Sequence, residues 1–94
     1  MNFVNSESVD LGGTSLQGYV VTTFKKLVYT FGAPTYGEEH SGDGKVSCEW
    51  VLRFDDGTVA TIYDYKEDAT PMGEYSWHIG GTSIESVNRV LECV

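Results

Sequence analysis

The chain has 94 residues, with 14 Asp and Glu against six Lys and Arg, for a formal charge of −8; 40% of its residues are hydrophobic and 13% aromatic. That is one domain's worth, residues 1–94, near the size at which a single core only just sustains itself, so assembly with further copies would help. The charge disfavours any partner with a long phosphate backbone, each contact to which needs a Lys or Arg, and no apolar run approaches the roughly 20 residues that span a bilayer.

In chain order, the first dozen residues, with Phe3, Val4, Val9 and Leu11 ahead of Gly12-Gly13, read as an edge strand. Thr14 to Val20 alternates loosely through Leu16 and Tyr19 and reads as a short strand leading into Thr22-Thr23, residue types suited to an N-cap. Phe24, Leu27, Val28 and Phe31 then stand at i, i+3, i+4 and i+7, one apolar helical stripe that Gly32 and Pro34 bring to a stop. Residues 35–44, around His40 and Asp43-Gly44, have the polarity and turn chemistry of a mobile loop.

Lys45 to Lys66 holds two alternating runs around Asp56-Gly57, a dipeptide that suits a two-residue type I′ turn. A two-residue loop places Trp50 opposite Tyr63, Leu52 opposite Thr61 and Phe54 opposite Val59, on the core face. The other face then pairs Val51 with Ile62, Arg53 with Ala60, Ser47 with Lys66 and Glu49 with Asp64. Two carboxylates directly across a ladder are unfavourable, so this arrangement calls for a compensating cation or ligand.

Tyr75 to Ile79 supplies a third strand of the meander, with Tyr75, Trp77 and Ile79 on one face and Ser76 and His78 on the other, His78 sharing its face with Glu49 and Asp64. Gly80-Gly81 ends it, Thr82 or Ser83 caps a last helix, and Ile84, Val87, Val90 and Leu91 form that helix's buried stripe. The expected fold class is α+β: an antiparallel sheet, a three-stranded meander plus one or two N-terminal strands, covered on one face by two helices.

Chemistry-bearing residues are few. His40 and His78 stand in no nucleophile motif, Cys48 and Cys93 have neither disulfide-framework nor zinc spacing and read as small buried hydrophobes, and neither a metal nor a cofactor is expected. Asp64-x-Lys66 with Glu49 opposite is a weak form of a metal-dependent nuclease pattern, against which stands a solvated hairpin edge. The junction Trp77 to Ser83 offers either an anion cradle at a helix start or an ordinary tight connection. Tyr19, Tyr36, Tyr65 and Tyr75, outside the helix stripes, either stack on a base or pack over the core. The opening residues lack a basic region followed by an apolar stretch, so the protein is expected to stay in the cytoplasm.

Taken together, Thr14-Ser15-Leu16-Gln17-Gly18-Tyr19, Leu27 to Pro34 with Phe31-Gly32, Lys45, Glu49-Trp50, Asp56-Gly57, Ala60-Thr61-Ile62-Tyr63-Asp64, Lys66 and Trp77-His78-Ile79-Gly80-Gly81 form a pattern across most of the chain. On that pattern the chain resembles a large family of small acidic bacteriophage proteins, itself similar to the viral anti-CBASS sponges that sequester cyclic dinucleotide signals. The resemblance implies a non-enzymatic homo-oligomer in the cytoplasm of an infected bacterial host, holding a ligand such as 3′3′-cyclic GMP-AMP without cleaving it. It points to Lys66, Tyr65, His78, Gly80, Gly81 and Thr82 as ligand-binding residues, with Gln17 and Tyr19 behind them. The competing reading is an acidic protein–protein inhibitor or DNA mimic acting on a host defence protein.

Overall fold

In a computed structural model that describes residues 2–37, 47–65 and 70–94, the chain folds as an α+β unit. The elements run β1 (Phe3–Asn5), β2 (Ser15–Thr22), α1 (Phe24–Phe31), β3 (Glu49–Phe54), β4 (Val59–Tyr63), β5 (Tyr75–Gly81) and α2 (Glu85–Cys93). The five strands form one antiparallel sheet in the order β1-β3-β4-β5-β2, with both helices on one face. Among the described residues, no helix is long and apolar enough to cross a membrane.

The β3–β4 hairpin is present, one residue out of the expected register. Phe54 N–H donates to Thr58 O at 2.8 Å and Gly57 N–H to Phe54 O at 2.9 Å, with Gly57 at φ 89°. The loop is therefore Asp55-Asp56-Gly57, a three-residue turn closed by a glycine bulge, and not the two-residue Asp56-Gly57 turn. A one-residue slip exchanges the faces of a whole strand. Trp50 pairs with Ile62 and Leu52 with Ala60 on the core side, whereas Glu49 pairs with Tyr63, Val51 with Thr61 and Arg53 with Val59 on the helix-free side. The expected Glu49–Asp64 apposition does not occur, and the expected Ser47–Lys66 pair lies outside the described residues.

Asp64 turns inward. Its carboxylate is fully buried and accepts hydrogen bonds from Ser47 N–H (2.8 Å), Ser47 Oγ–H (2.6 Å) and Cys48 N–H (3.3 Å). A buried carboxylate persists only when its lone pairs are satisfied in this way. It serves here as a backbone clasp at the open end of the hairpin.

The core lies between the sheet and the helices: Leu27 and Phe31 of α1, Val87 and Val90 of α2, and Val20, Trp50, Leu52, Phe54, Ala60, Ile62, Trp77 and Ile79 of the strands. Thr23 caps α1 by accepting from Lys26 N–H, and Gly32 at φ 88° ends it, as its sequence predicts. The Trp50 indole N–H reaches Gly32 O at 2.9 Å and that of Trp77 reaches Thr22 O at 3.1 Å, so one core tryptophan is anchored at each end of this short helix. The two rings meet edge to face, 5.6 Å apart.

The buried stripe of α2 is rotated from the expected one. Ser86, Val87 and Val90 are buried, while Ile84 and Leu91 are about half exposed, at 58% and 49%. Gly81 is the cause: Ser86 Oγ donates to Val59 O at 2.6 Å, and a Cβ on Gly81 would lie 1.9 Å from that hydroxyl and 2.8 Å from Val59 O. Cys48 is buried and Cys93 half-buried against the core, both as free thiols. The predicted loop at 35–44 is described only to residue 37, where Tyr36 bridges to Glu49; its remainder, with His40, lies outside the described residues.

Two outcomes follow from these contacts. Gly81→Ala should lose about 1–3 kcal/mol in urea denaturation, the range for forcing volume into a packed site, while Gly37→Ala, with open space around it, should stay near wild type. Asp56 accepts from Thr58 N–H (2.9 Å) and Arg89 Nε–H (2.9 Å), and these bonds, Thr58 foremost, hold its carboxyl down at about 2 against an ordinary 3.8. A depressed carboxyl adds stability that is complete above its unfolded value and fades as pH falls from 3.8 towards 2. Melting temperature followed through that window should fall less steeply in Asp56→Asn than in wild type; identical acid limbs would contradict the assignment.

Candidate functional site

The helix-free face of the sheet carries a ring cluster that the observed register creates. Antiparallel pairing aligns Glu49, Tyr63, His78 and Tyr19 in one row across β3, β4, β5 and β2. His78 sits at its centre. The Tyr63 ring stacks on it at 5.3 Å with 22° between planes, Tyr19 meets it edge-on at 5.0 Å, and Tyr65, just beyond β4, lies tilted at 5.8 Å. Tyr65 is placed in part by its own backbone N–H, which donates to the Tyr75 hydroxyl at 3.2 Å.

Each position has a local cause. His78 points away from the core because its neighbours Trp77 and Ile79 fill the other face, as strand alternation requires. Gly80 follows His78 along β5 by two, on the same face, and its missing side chain makes room for Thr61: a Cβ there would lie 2.6 Å from Thr61 Oγ1 and 3.6 Å from the Tyr63 ring. In β2 one extra residue, Gln17, bulges between the Leu16–Gly80 and Gly18–Ile79 pairs, and its side-chain amide donates to Gly81 O at 3.1 Å.

The cluster is wet on one side and sealed on the other. Tyr19 is 52% and Tyr65 39% exposed, whereas Val51 and Thr61 in the adjacent row are buried. The His78 Nδ1 atom is shut off from solvent and, among the described residues, has no hydrogen-bond partner. A buried polar atom left unpaired costs on the order of 1–3 kcal/mol. Burial, aided by the Glu49 carboxylate on the paired residue, pushes the Tyr63 phenol above its ordinary 10.0.

Of the residues that the sequence suggests, Tyr19, Tyr65 and His78 come together. Gln17 lies at the β2 bulge. Gly80 and Gly81 are buried and closely packed, and Thr82 is exposed beyond them; Lys66 lies outside the described residues. The junction after β5 is a tight connection: Ser83 O accepts from Ser86 N–H, Ser83 Oγ accepts from Glu85 N–H, and the acidic Glu85 occupies the first turn of α2. Tyr63 is the participant that the sequence reading missed, because a two-residue loop sends it to the core. Counting Asp55 into the loop is the signal that would have placed it beside His78.

With Asp64 inward and Glu49 facing Tyr63, the paired-carboxylate geometry of a metal-dependent nuclease is not formed. Among the described residues, no three His, Cys, Asp or Glu side chains converge to hold a metal ion. A separate hollow lined by Asn5, Ser6, Glu7, Ala33, Pro34 and Thr35 opens beside β1 and carries no aromatic ring. The chain matches no known protein family, no curated protein and no solved structure.

The raised phenol gives a direct check. Its extra protonation is a stability contribution that is complete below 10.0 and lost as pH rises through the elevated value. Phenolate absorbance of wild type minus that of Tyr63→Phe should titrate above 10.0, and Glu49→Gln should bring the midpoint down towards it. A midpoint at or below the ordinary value would mean that Tyr63 is open to water and unaffected by Glu49.

Proposed function

We infer that the protein is a non-enzymatic binding protein that captures a cyclic dinucleotide signal, such as 3′3′-cyclic GMP-AMP, on the tyrosine-ringed His78 platform. The single observation behind this reading is the set of three tyrosines around one histidine on the sheet face opposite α1 and α2. Nucleobases stack on such rings. The resemblance of the sequence pattern to sponge-like phage proteins supports the same ligand class, with action in the cytoplasm of an infected bacterium.

In this reading Tyr19 and Tyr65 stack on the base beside His78, and Lys66, which follows Tyr65 in the chain, answers the phosphate charge. Thr82 and Gln17 stand at the end of β5 as further polar contacts. The competing role, an acidic inhibitor or DNA mimic, asks for a surface that ignores nucleotides and binds a basic protein in a salt-sensitive way.

A thermal-shift screen of the full chain against cyclic dinucleotides decides between the two. Binding stabilises the folded state by about 2.7 kcal/mol at a ligand concentration 100 times Kd, and the ligand should be recovered chemically intact after denaturation. Tyr19→Ala should weaken binding by about 1–3 kcal/mol, the usual worth of one stacked base. His78→Phe, which removes the unpaired nitrogen, should leave the free protein at least as stable as wild type while weakening ligand binding. No stabilisation by any member of the panel would remove this function, and recovery of cleaved ligand would replace it with an enzyme.

A further inference from the structure

We propose that β2 is a self-pairing edge, and that two copies of the chain join β2 to β2 antiparallel about a two-fold axis to make one continuous ten-stranded sheet. The juxtaposition rests on the reading of the ring cluster as a ligand site, since pairing sets two such clusters side by side on one surface.

The two borders of the sheet are treated differently. On the β3 side the outer backbone is occupied: β1 covers Leu52 to Phe54, Ser6 N–H donates to Val51 O at 3.2 Å, and Tyr36 exchanges both backbone bonds with Glu49 at 3.0 and 2.9 Å. Asn5 and Thr35 lock that cover in place, with Asn5 Nδ2 donating to Phe31 O and Ala33 O, and Thr35 Oγ1 hydrogen-bonded to Asn5 and to Val51 N–H. On the other side β2 runs for eight residues and, among the described residues, no strand pairs with its outer edge. Monomeric proteins usually guard such an edge with Lys, Pro, a β-bulge or very short length. β2 contains neither Lys nor Pro; its one irregularity, the bulge at Gln17, lies near its start and leaves Tyr19 to Thr22 regular.

The chemistry of that edge fits a second copy of the chain. Two molecules that each carry a charge of −8 repel, and contact is easiest where charge is missing. From Leu11 to Phe24 there is no charged residue. Leu16, Tyr19 and Val21 are exposed at 47%, 52% and 66%, on the helix-free face. A two-fold axis normal to the sheet keeps the helix-free faces of both copies on the same side, and residues paired across it share a face. Near full overlap, Tyr19 then lies opposite the partner's Tyr19 or the partner's Val21. The two His78 platforms come three strand spacings apart, about 14 Å, on one surface. A ligand with two bases on one ring asks for two platforms related in this way.

Sedimentation of the ligand-free full chain tests the pairing independently of any nucleotide. The expected species has twice the 10.4 kDa chain mass, and Val21→Lys, which sets two like charges on one face at either side of the axis of an otherwise uncharged edge, should weaken association by about tenfold or more. Tyr29→Lys, the same change of charge at an 85% exposed site on α1, should associate as wild type does. In wild type, amide exchange over residues 15–22 should slow as protein concentration rises, a readout that survives even if Val21→Lys fails to fold. A monomeric wild type, a Val21→Lys variant that dimerises normally, a Tyr29→Lys variant that dissociates, or concentration-independent exchange in β2 would each overturn the proposal. A dimer that binds no cyclic dinucleotide would leave the pairing standing and remove only the ligand reading.

Discussion

Three residues, Asp55, Asp56 and Gly57, determine which side chains of this protein meet water. Because Gly57 takes a positive φ and closes a bulged turn, β4 returns beside β3 with Ile62 behind Trp50 and with Tyr63 on the far side. β5 then inherits its alignment from β4, Ile79 beside Ile62 and His78 beside Tyr63, and β2 inherits its own from β5. A two-residue loop would drive Ile62 and Ala60, both fully buried, out to the open face and would bury a phenol in their place. The loop is also tied to the second helix, since Arg89 bridges Asp56 at 2.9 Å and the helix's own Glu85 and Glu92 at 3.2 and 3.0 Å.

Much of the architecture was legible in the sequence because several weak signals agreed. The spacing of Phe24, Leu27, Val28 and Phe31, after Thr22-Thr23 and before Gly32 and Pro34, gives α1. Alternation gave the hairpin strands and β5, and the short apolar start of the chain gave an edge strand. Face assignment in β4 failed because Asp-Gly suits a two-residue turn as well as the last two places of a three-residue one, and only the cross-strand hydrogen bonds distinguish them. The α2 stripe was misread because a serine was not counted as a core residue; Ser86 is buried since Gly81 lets the helix approach and Val59 O accepts its hydroxyl.

The candidate site was less legible for the same reason. His78 could be named as an outward residue and Tyr19 and Tyr65 as either stacking or core-packing rings, yet the stacking partner that completes the group, Tyr63, depended on the hairpin register. Asp64 is the converse: its sequence neighbours suggested surface chemistry, and three hydrogen bonds from Ser47 and Cys48 make it an internal clasp. Neighbouring residues of one short stretch, Tyr63, Asp64 and Tyr65, thus serve alternately the outer face, the interior and the outer face again.

The two indole N–H bonds at Thr22 and Gly32 bear on how the chain folds. A helix of eight residues has little stability of its own in water, and the groups that hold it at either end come from β3 and β5, which are distant in sequence. α1 therefore leans on those strands for its order, and each tryptophan ties a strand of the sheet to one end of the helix.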